Sequence, residues 1–227
     1  MSTRTPHVLF ILTNADKIGP RERATGFFFP EVAHPFEVFD AAGVAVEYAS
    51  PLGGTPPHDG YDDSDPAQRA FRDSSAFRRM SRSRKLSEVD VLDYDAIFFP
   101  GGLGPMVDIW KDPDVKRAVL RAWNGGKIVS AVCHGPAAFL GVTLADGTPL
   151  VRGRRLTSFS NAEEEGYAKA DVPFKLEDAL RAEGAEFDSV DPWQAKVIVD
   201  GRLMTGQNPA SGGALAQAIV GALRNDT

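Results

Sequence analysis

Lys127-Ile128-Val129-Ser130-Ala131-Val132-Cys133-His134-Gly135-Pro136 decides how the rest of the chain is read. Its first half, β-branched and apolar, has the character of a buried strand. It ends in a small residue, a cysteine, a histidine, a glycine and a proline, an order suited to a sharp strand-to-helix turn. Proline at the first helical position has its φ already set, and the N–H it lacks would have had no partner there. Ala131 and Gly135 flank Cys133 at the two-residue spacing of a nucleophile elbow, where small neighbours tolerate backbone strain and leave the nucleophile exposed. A thiol at a helix N-terminus also feels the positive end of the dipole. The stretch therefore predicts a reactive thiolate at Cys133, the only cysteine in the chain.

Outward from this turn, strands and helices alternate. Residues 7–12 form a continuous apolar run, a natural first buried strand, and polar residues 13–26 read as the loop at its carboxyl end. A helix starts at Glu31, with Val32, Phe36, Phe39 and Ala42 on one face and Gly43 closing it. Residues 44–49 give the second strand, and this β-α-β opening predicts an α/β fold with right-handed crossovers. Residues 96–99 are a further strand, and 113–123 a helix with Val115, Val119 and Trp123 in register. A short helix is expected over 136–140, a strand over 155–159, and helices over 161–169 and 176–182. Residues 196–199 and 202–205 read as a hairpin with a type I′ turn at Asp200-Gly201, and 209–223 as the closing helix. Residues 50–93 break the rhythm and are read as an insertion in a single domain spanning 1–227. Ser64 or Asp65 caps a helix from Pro66 in that segment. Its basic run, Arg78, Arg79, Arg82, Arg84 and Lys85, is either a solvated surface or a patch for an anion or a partner.

Bulk properties narrow the function. A chain of 227 residues buries one good core without needing a second. The formal charge of −6 argues against general nucleic-acid affinity. No run approaches the roughly 18 apolar residues of a membrane span. A single cysteine makes no internal disulfide, so the expected compartment is the cytoplasm.

Sites in open α/β sheets lie at the carboxyl ends of strands, which singles out the loops after Leu12, after Phe99 and at Cys133. Pro100-Gly101-Gly102 lacks the further glycine and Gly-Lys-Ser/Thr of a nucleotide loop. It is either a tight turn or a source of backbone N–H groups that, with that of His134, form an oxyanion hole. The only histidine downstream of Cys133 is His134, which excludes the later His-x-Glu pair that class I glutamine amidotransferases use. A histidine beside the nucleophile needs an orienting acceptor, and Glu163, Glu164 or Glu165 can supply one; the same acids also suit the first turn of a helix. No His/Cys/Asp set has zinc spacing, so neither metal nor cofactor is expected.

Four segments together resemble the ThiJ/PfpI superfamily, in its branch of heat-shock-type chaperones and cofactor-independent glyoxalase III enzymes. They are Thr25-Gly26-x-x-x-x-Glu31-x-x-His34-Pro35-Phe36, Pro100-Gly101-Gly102, Ala131-Val132-Cys133-His134-Gly135-Pro136, and Asp200-Gly201-Arg202-Leu203-x-Thr205-Gly206-Gln207-Asn208-Pro209-Ala210-Ser211. The resemblance runs from about His7 to the last helix. It implies a flavodoxin-like three-layer sandwich with a mostly parallel sheet, and a homodimer. It also implies Cys133 as nucleophile, His134 as its base, Glu31 as the carboxyl group against the sulfur, and Glu164 as the third triad member. Gly101, Gly102 and His134 would line the oxyanion hole. The implied chemistry is glutathione-independent conversion of methylglyoxal or glyoxal to lactate or glycolate. The alternatives are a stress-related holding chaperone for unfolded clients or a cysteine redox sensor, and after them a cysteine peptidase. Phe27-Phe28-Phe29-Pro30, bulky and aromatic before Glu31, is a departure expected to narrow the pocket or change the substrate.

Overall fold

The architecture comes from a computed structural model that describes residues 4–225. The central sheet has seven strands: β1 (His7–Ile11), β2 (Ala45–Ser50), β3 (Arg84–Lys85), β4 (Ala96–Phe99), β5 (Ile128–Val132), β6 (Val197–Asp200) and β7 (Leu203–Gly206). Their order across the sheet is β6-β7-β5-β4-β1-β2-β3. Every pairing is parallel except that of β6 with β7. The middle strands β1, β4 and β5 are apolar nearly throughout because helices cover both faces, so no alternation appears in their sequences.

Helices α1 (Pro30–Ala41) and α7 (Gly212–Asn225) pack on each other over one face. There Val8, Phe10, Phe98, Val132 and Leu215 form one core. Helix α4 (Pro113–Asn124) covers the other, over Leu9, Ile97, Phe99 and Val129. The starts of α1 and α4 have local causes. Pro30 opens α1; Asp112 accepts the Asp114 and Val115 N–H groups to cap α4. Gly43, at φ +72°, ends the α1 turn in the left-handed conformation. The helices expected over 161–169 and 176–182 form as α5 (Asn161–Tyr167) and α6 (Leu176–Ala182). Among the described residues, no helix is long and apolar enough to cross a membrane.

Several expectations change in the folded chain. The segment 50–93 supplies α2 (Pro66–Asp73), α3 (Ser75–Met80) and edge strand β3, and it buries Phe71, Ala76 and Met80 in the main core. Asp65, not Ser64, caps α2 through the Ala67 and Gln68 N–H groups. The loop over 13–26 carries a two-stranded ribbon, Lys17–Ile18 with Arg23–Ala24. The strand expected over 155–159 is cut to Arg155–Leu156, paired with Glu186–Phe187 outside the main sheet. In the hairpin Asp200 pairs with Leu203, so the turn residues are Gly201-Arg202. Only Gly201 has positive φ, which excludes the type I′ turn. The closing helix is preceded by a separate 3₁₀ turn, Pro209–Ser211. Residues 169–174, which carry no clear pattern, hold Asp171, whose carboxylate receives Arg21 at 2.9 Å and Arg23 at 3.3 Å and so pins the ribbon.

Candidate functional site

The turn after β5 is strained where the sequence places it. Cys133 has φ +59°, one of three non-glycine residues with positive φ among those described. Its conformation is held from both sides: its N–H donates to the Gly206 C=O at 3.0 Å, and its C=O accepts the Phe159 N–H at 2.8 Å. Gly135 is required because a Cβ there would lie 2.1 Å from the Phe99 C=O oxygen. The short helix expected over 136–140 forms as a five-residue 3₁₀ turn, Gly135–Phe139. The dipole invoked to favour a thiolate is therefore largely missing.

The thiol is 4% exposed and lies beside Glu31, His134 and Glu164, which are all buried. Cys133 Sγ is 3.5 Å from His134 Nδ1, and His134 Nε2 is 2.7 Å from Glu164 Oε2. With both ring nitrogens engaged in this order, an Nε2–H that donates to Glu164 leaves Nδ1 free to accept from sulfur. Phe159 lies against the imidazole, with ring centroids 4.5 Å apart, and fixes its plane.

Glu31 enters from the first turn of α1, where its Oε2 accepts the Gly101 N–H at 2.5 Å. Burial raises its carboxyl from 4.5 to about 8, against the lowering effect of that hydrogen bond and of the nearby thiol. Burial likewise pushes the Cys133 thiol well up, and the Glu31 charge pushes it further. The two groups cannot both ionise cheaply. With Glu31 protonated the charge penalty disappears, and the Gly102 and His134 N–H groups, which favour the thiolate, are left to act.

The backbone N–H groups beside the thiol differ in their partners. The Gly101 N–H is occupied by Glu31, so it does not open towards a substrate oxygen. The N–H groups facing the sulfur are those of Gly102 and His134. Gly101 matters sterically instead: a Cβ there would stand 2.7 Å from Cys133 Cβ, from Glu31 Oε2 and from the His134 nitrogen.

The acidic run separates into three environments because consecutive helical residues point about 100° apart. Glu163 closes a capping box with Ser160 at the start of α5 and accepts the Trp193 N–H at 2.9 Å and Asn208 Nδ2 at 2.8 Å. Glu164 points at His134. Glu165 lies outside with Lys169 and Lys175. Phe27 and Phe29 turn into the core against His58, and Phe29 also packs on Phe71. The sequence reading missed Tyr167 and Trp193. Trp193, at φ +66° and 51% exposed, packs on Phe159 and Tyr167, with centroids 5.5 and 6.0 Å away. No periodicity marks either residue, since only folding brings their loops together.

The chain is similar in sequence and in fold to known proteins. The chain is 33% identical to the glutathione-independent glyoxalase HSP31 of Saccharomyces cerevisiae over 232 residues, covering 96% of this chain and 98% of that protein. It is 30% identical to glyoxalase 3 of Candida albicans over 88% of this chain and 90% of that one. The crystal structure of the Candida albicans glyoxalase III superposes with a TM-score of 0.86 at 29% identity, covering 96% of this chain and 97% of the other. The rapid encystment protein of Francisella tularensis gives 0.92 at 32% identity, with 96% and 99% covered. The sequence profile of the DJ-1/PfpI family spans residues 24–222, nearly the whole sheet and the full Cys133 site, and the chain belongs to that family.

Proposed function

We propose that this protein is a glutathione-independent glyoxalase that converts methylglyoxal or glyoxal to lactate or glycolate, with Cys133 as its nucleophile. The observation that carries the reading is the enclosed chain Glu31–Cys133–His134–Glu164, joined by contacts of 3.5 Å and 2.7 Å beyond the sulfur. Such an arrangement suits a nucleophile that must also move a proton. Its exclusion from solvent suits a substrate of a few heavy atoms.

The Cys133 thiol adds across the aldehyde C=O: the sulfur forms the C–S bond as the C=O π pair moves to oxygen, and the thiol proton passes by way of His134 Nδ1 to that oxygen, giving a hemithioacetal. The Gly102 and His134 N–H groups, already turned towards the sulfur, stabilise the charge on that oxygen. His134 Nδ1 removes the proton from the former aldehyde carbon, and Glu164 stabilises the imidazolium across Nε2. The imidazolium returns its proton to the neighbouring carbonyl oxygen, giving an enediol whose carbon there takes a proton from the Glu31 carboxylic acid, which burial keeps protonated at neutral pH, and the hydroxyl on the sulfur-bearing carbon gives its proton back to Glu31 as the thioester C=O forms. The sum is an internal redox exchange between two adjacent carbons. A thioester results, and water hydrolyses it, returning the thiol and releasing the 2-hydroxy acid. No external oxidant or reductant is consumed.

The test is glutathione-free consumption of methylglyoxal with lactate as the measured product. Cys133→Ser should abolish turnover, and Glu31→Gln and Glu164→Gln should each lower kcat by about 10²-fold or more. Turnover by the serine variant would defeat the mechanism. No turnover by any of these proteins, wild type included, would favour the holding-chaperone reading, with unfolded chains as clients. Homodimer formation belongs to the same proposal, and light scattering tests it.

A further inference from the structure

Three strands across the sheet from the Cys133 strand β5, a groove of about 790 Å³ runs between α3 and the outer edge of β2. It exists because β3 is only two residues long and pairs with Ala49 and Ser50, leaving the rest of β2 without a neighbour on that side. Phe36, Val44 and Val46 give the groove an apolar lining, and Arg78, Arg79, Arg82 and Arg84 give it charge. It shares no residue with the Cys133 site.

Two independent features mark this groove as a ligand site. The first is charge. In a chain of net charge −6, Arg21, Arg23, Arg117, Arg121 and Arg181 each face a carboxylate. Among the described residues, Arg78, Arg79 and Arg82 have no such partner, as is true elsewhere of Arg69, Arg72, Arg152, Arg154 and Arg202; what sets the three apart is that they gather, with Arg84, on one groove. Arg78 reaches only the Asp73 C=O, and Arg79 only the Ser75 hydroxyl. Arg84 is 4.0 Å from Glu47, the one ion pair in the groove. Asp40 is the other acid present, so four guanidinium groups meet two carboxylates. The second is Tyr48. It is 3% exposed and lines the groove, yet its hydroxyl has no hydrogen-bond partner. The hydroxyl lies within the fields of Arg79 and Asp40. A buried hydroxyl without a partner is destabilising, and a bound acceptor would remove that cost.

We propose that this groove binds an organic phosphate, a phosphomonoester carried on a flat apolar body. Guanidinium forks match phosphate oxygens two at a time, and a charge near −2 answers several arginines better than a single carboxylate does. The apolar lining holds the body, and the Tyr48 hydroxyl donates to a phosphate oxygen. The volume lies within the roughly 300–1,000 Å³ of small-molecule sites.

Isothermal titration calorimetry on the full chain, with phenyl phosphate, inorganic phosphate and benzoate as probes, tests the proposal. Phenyl phosphate should bind at one site per chain, at least tenfold more tightly than either of the others. The double variant Arg79→Gln/Arg82→Gln should weaken it at least tenfold, and Tyr48→Phe, which keeps the ring, several-fold. Both variants should consume methylglyoxal at the wild-type rate, showing that the fold and the Cys133 site are intact. Absence of phenyl phosphate binding, equal affinity for benzoate or inorganic phosphate, or unchanged binding in the double variant would overturn the proposal. So would a dimer that dissociates in the double variant and excludes phenyl phosphate, because the groove would then be a self-association face.

Discussion

Replacing Glu31 by glutamine should change how the stability of this protein depends on pH. In the unfolded chain the carboxyl titrates near 4.5; in the folded protein, fully buried, near 8. Between those values the native state holds a proton that the unfolded state has released, so raising the pH favours unfolding. The stability associated with the protonated group is fully present below pH 4.5 and is lost as the pH rises through about 8. At about 1.4 kcal/mol for each tenfold change in proton affinity, the full span comes to about 5 kcal/mol, an upper value because water can reach a buried carboxylate as it ionises. Glutamine has no proton to lose, and its Oε1 can still accept the Gly101 N–H. Both proteins in the comparison should carry Cys133→Ser, which removes the titration of the neighbouring thiol. Urea unfolding at pH 5 and pH 8.5 would then show Cys133→Ser losing several kcal/mol and Cys133→Ser/Glu31→Gln losing much less. Asp65, Asp90 and Glu165, held down to about 2 by their hydrogen-bond and charge partners, titrate outside this window in both proteins. Parallel pH profiles for the two proteins would refute a neutral buried Glu31 and, with it, its role as proton donor.

Gly101→Ala should leave circular dichroism near wild type but lower kcat/KM by about 100-fold, because its methyl group would displace the thiol, the Glu31 carboxyl and the His134 amide together. Glu163→Ala should cost about 3–5 kcal/mol in urea unfolding, since it strands the buried donors of Ser160, Gln207 and Asn208 and frees the Trp193 loop. Phe71→Ala, in a side chain 1% exposed, should cost about 3–5 kcal/mol. A loss below 1 kcal/mol there would mean that α2 and α3 are decoration and not core.

What the sequence determined by itself was whatever depends on neighbours along the chain. The apolar runs of β1, β4 and β5 mark buried parallel strands because a strand covered on both faces has no polar side to show. The small residues around Cys133 mark the elbow because only they allow the turn, and the cap of α5 is written in Ser160 and Glu163. The folded chain decided whatever depends on distant segments meeting. Spacing alone makes Glu31 an ordinary first-turn acid; burial beneath Gly101 raises the pKa of its carboxyl to about 8. Counting cannot choose among Glu163, Glu164 and Glu165, whereas the orientation of α5 aims only Glu164 at His134. The ionisation of Cys133 likewise depends on what surrounds it. A proline after the turn suggests a helix and its dipole, but the chain makes only a short 3₁₀ turn, and desolvation, a property of the surroundings, sets the proton affinity of the thiol.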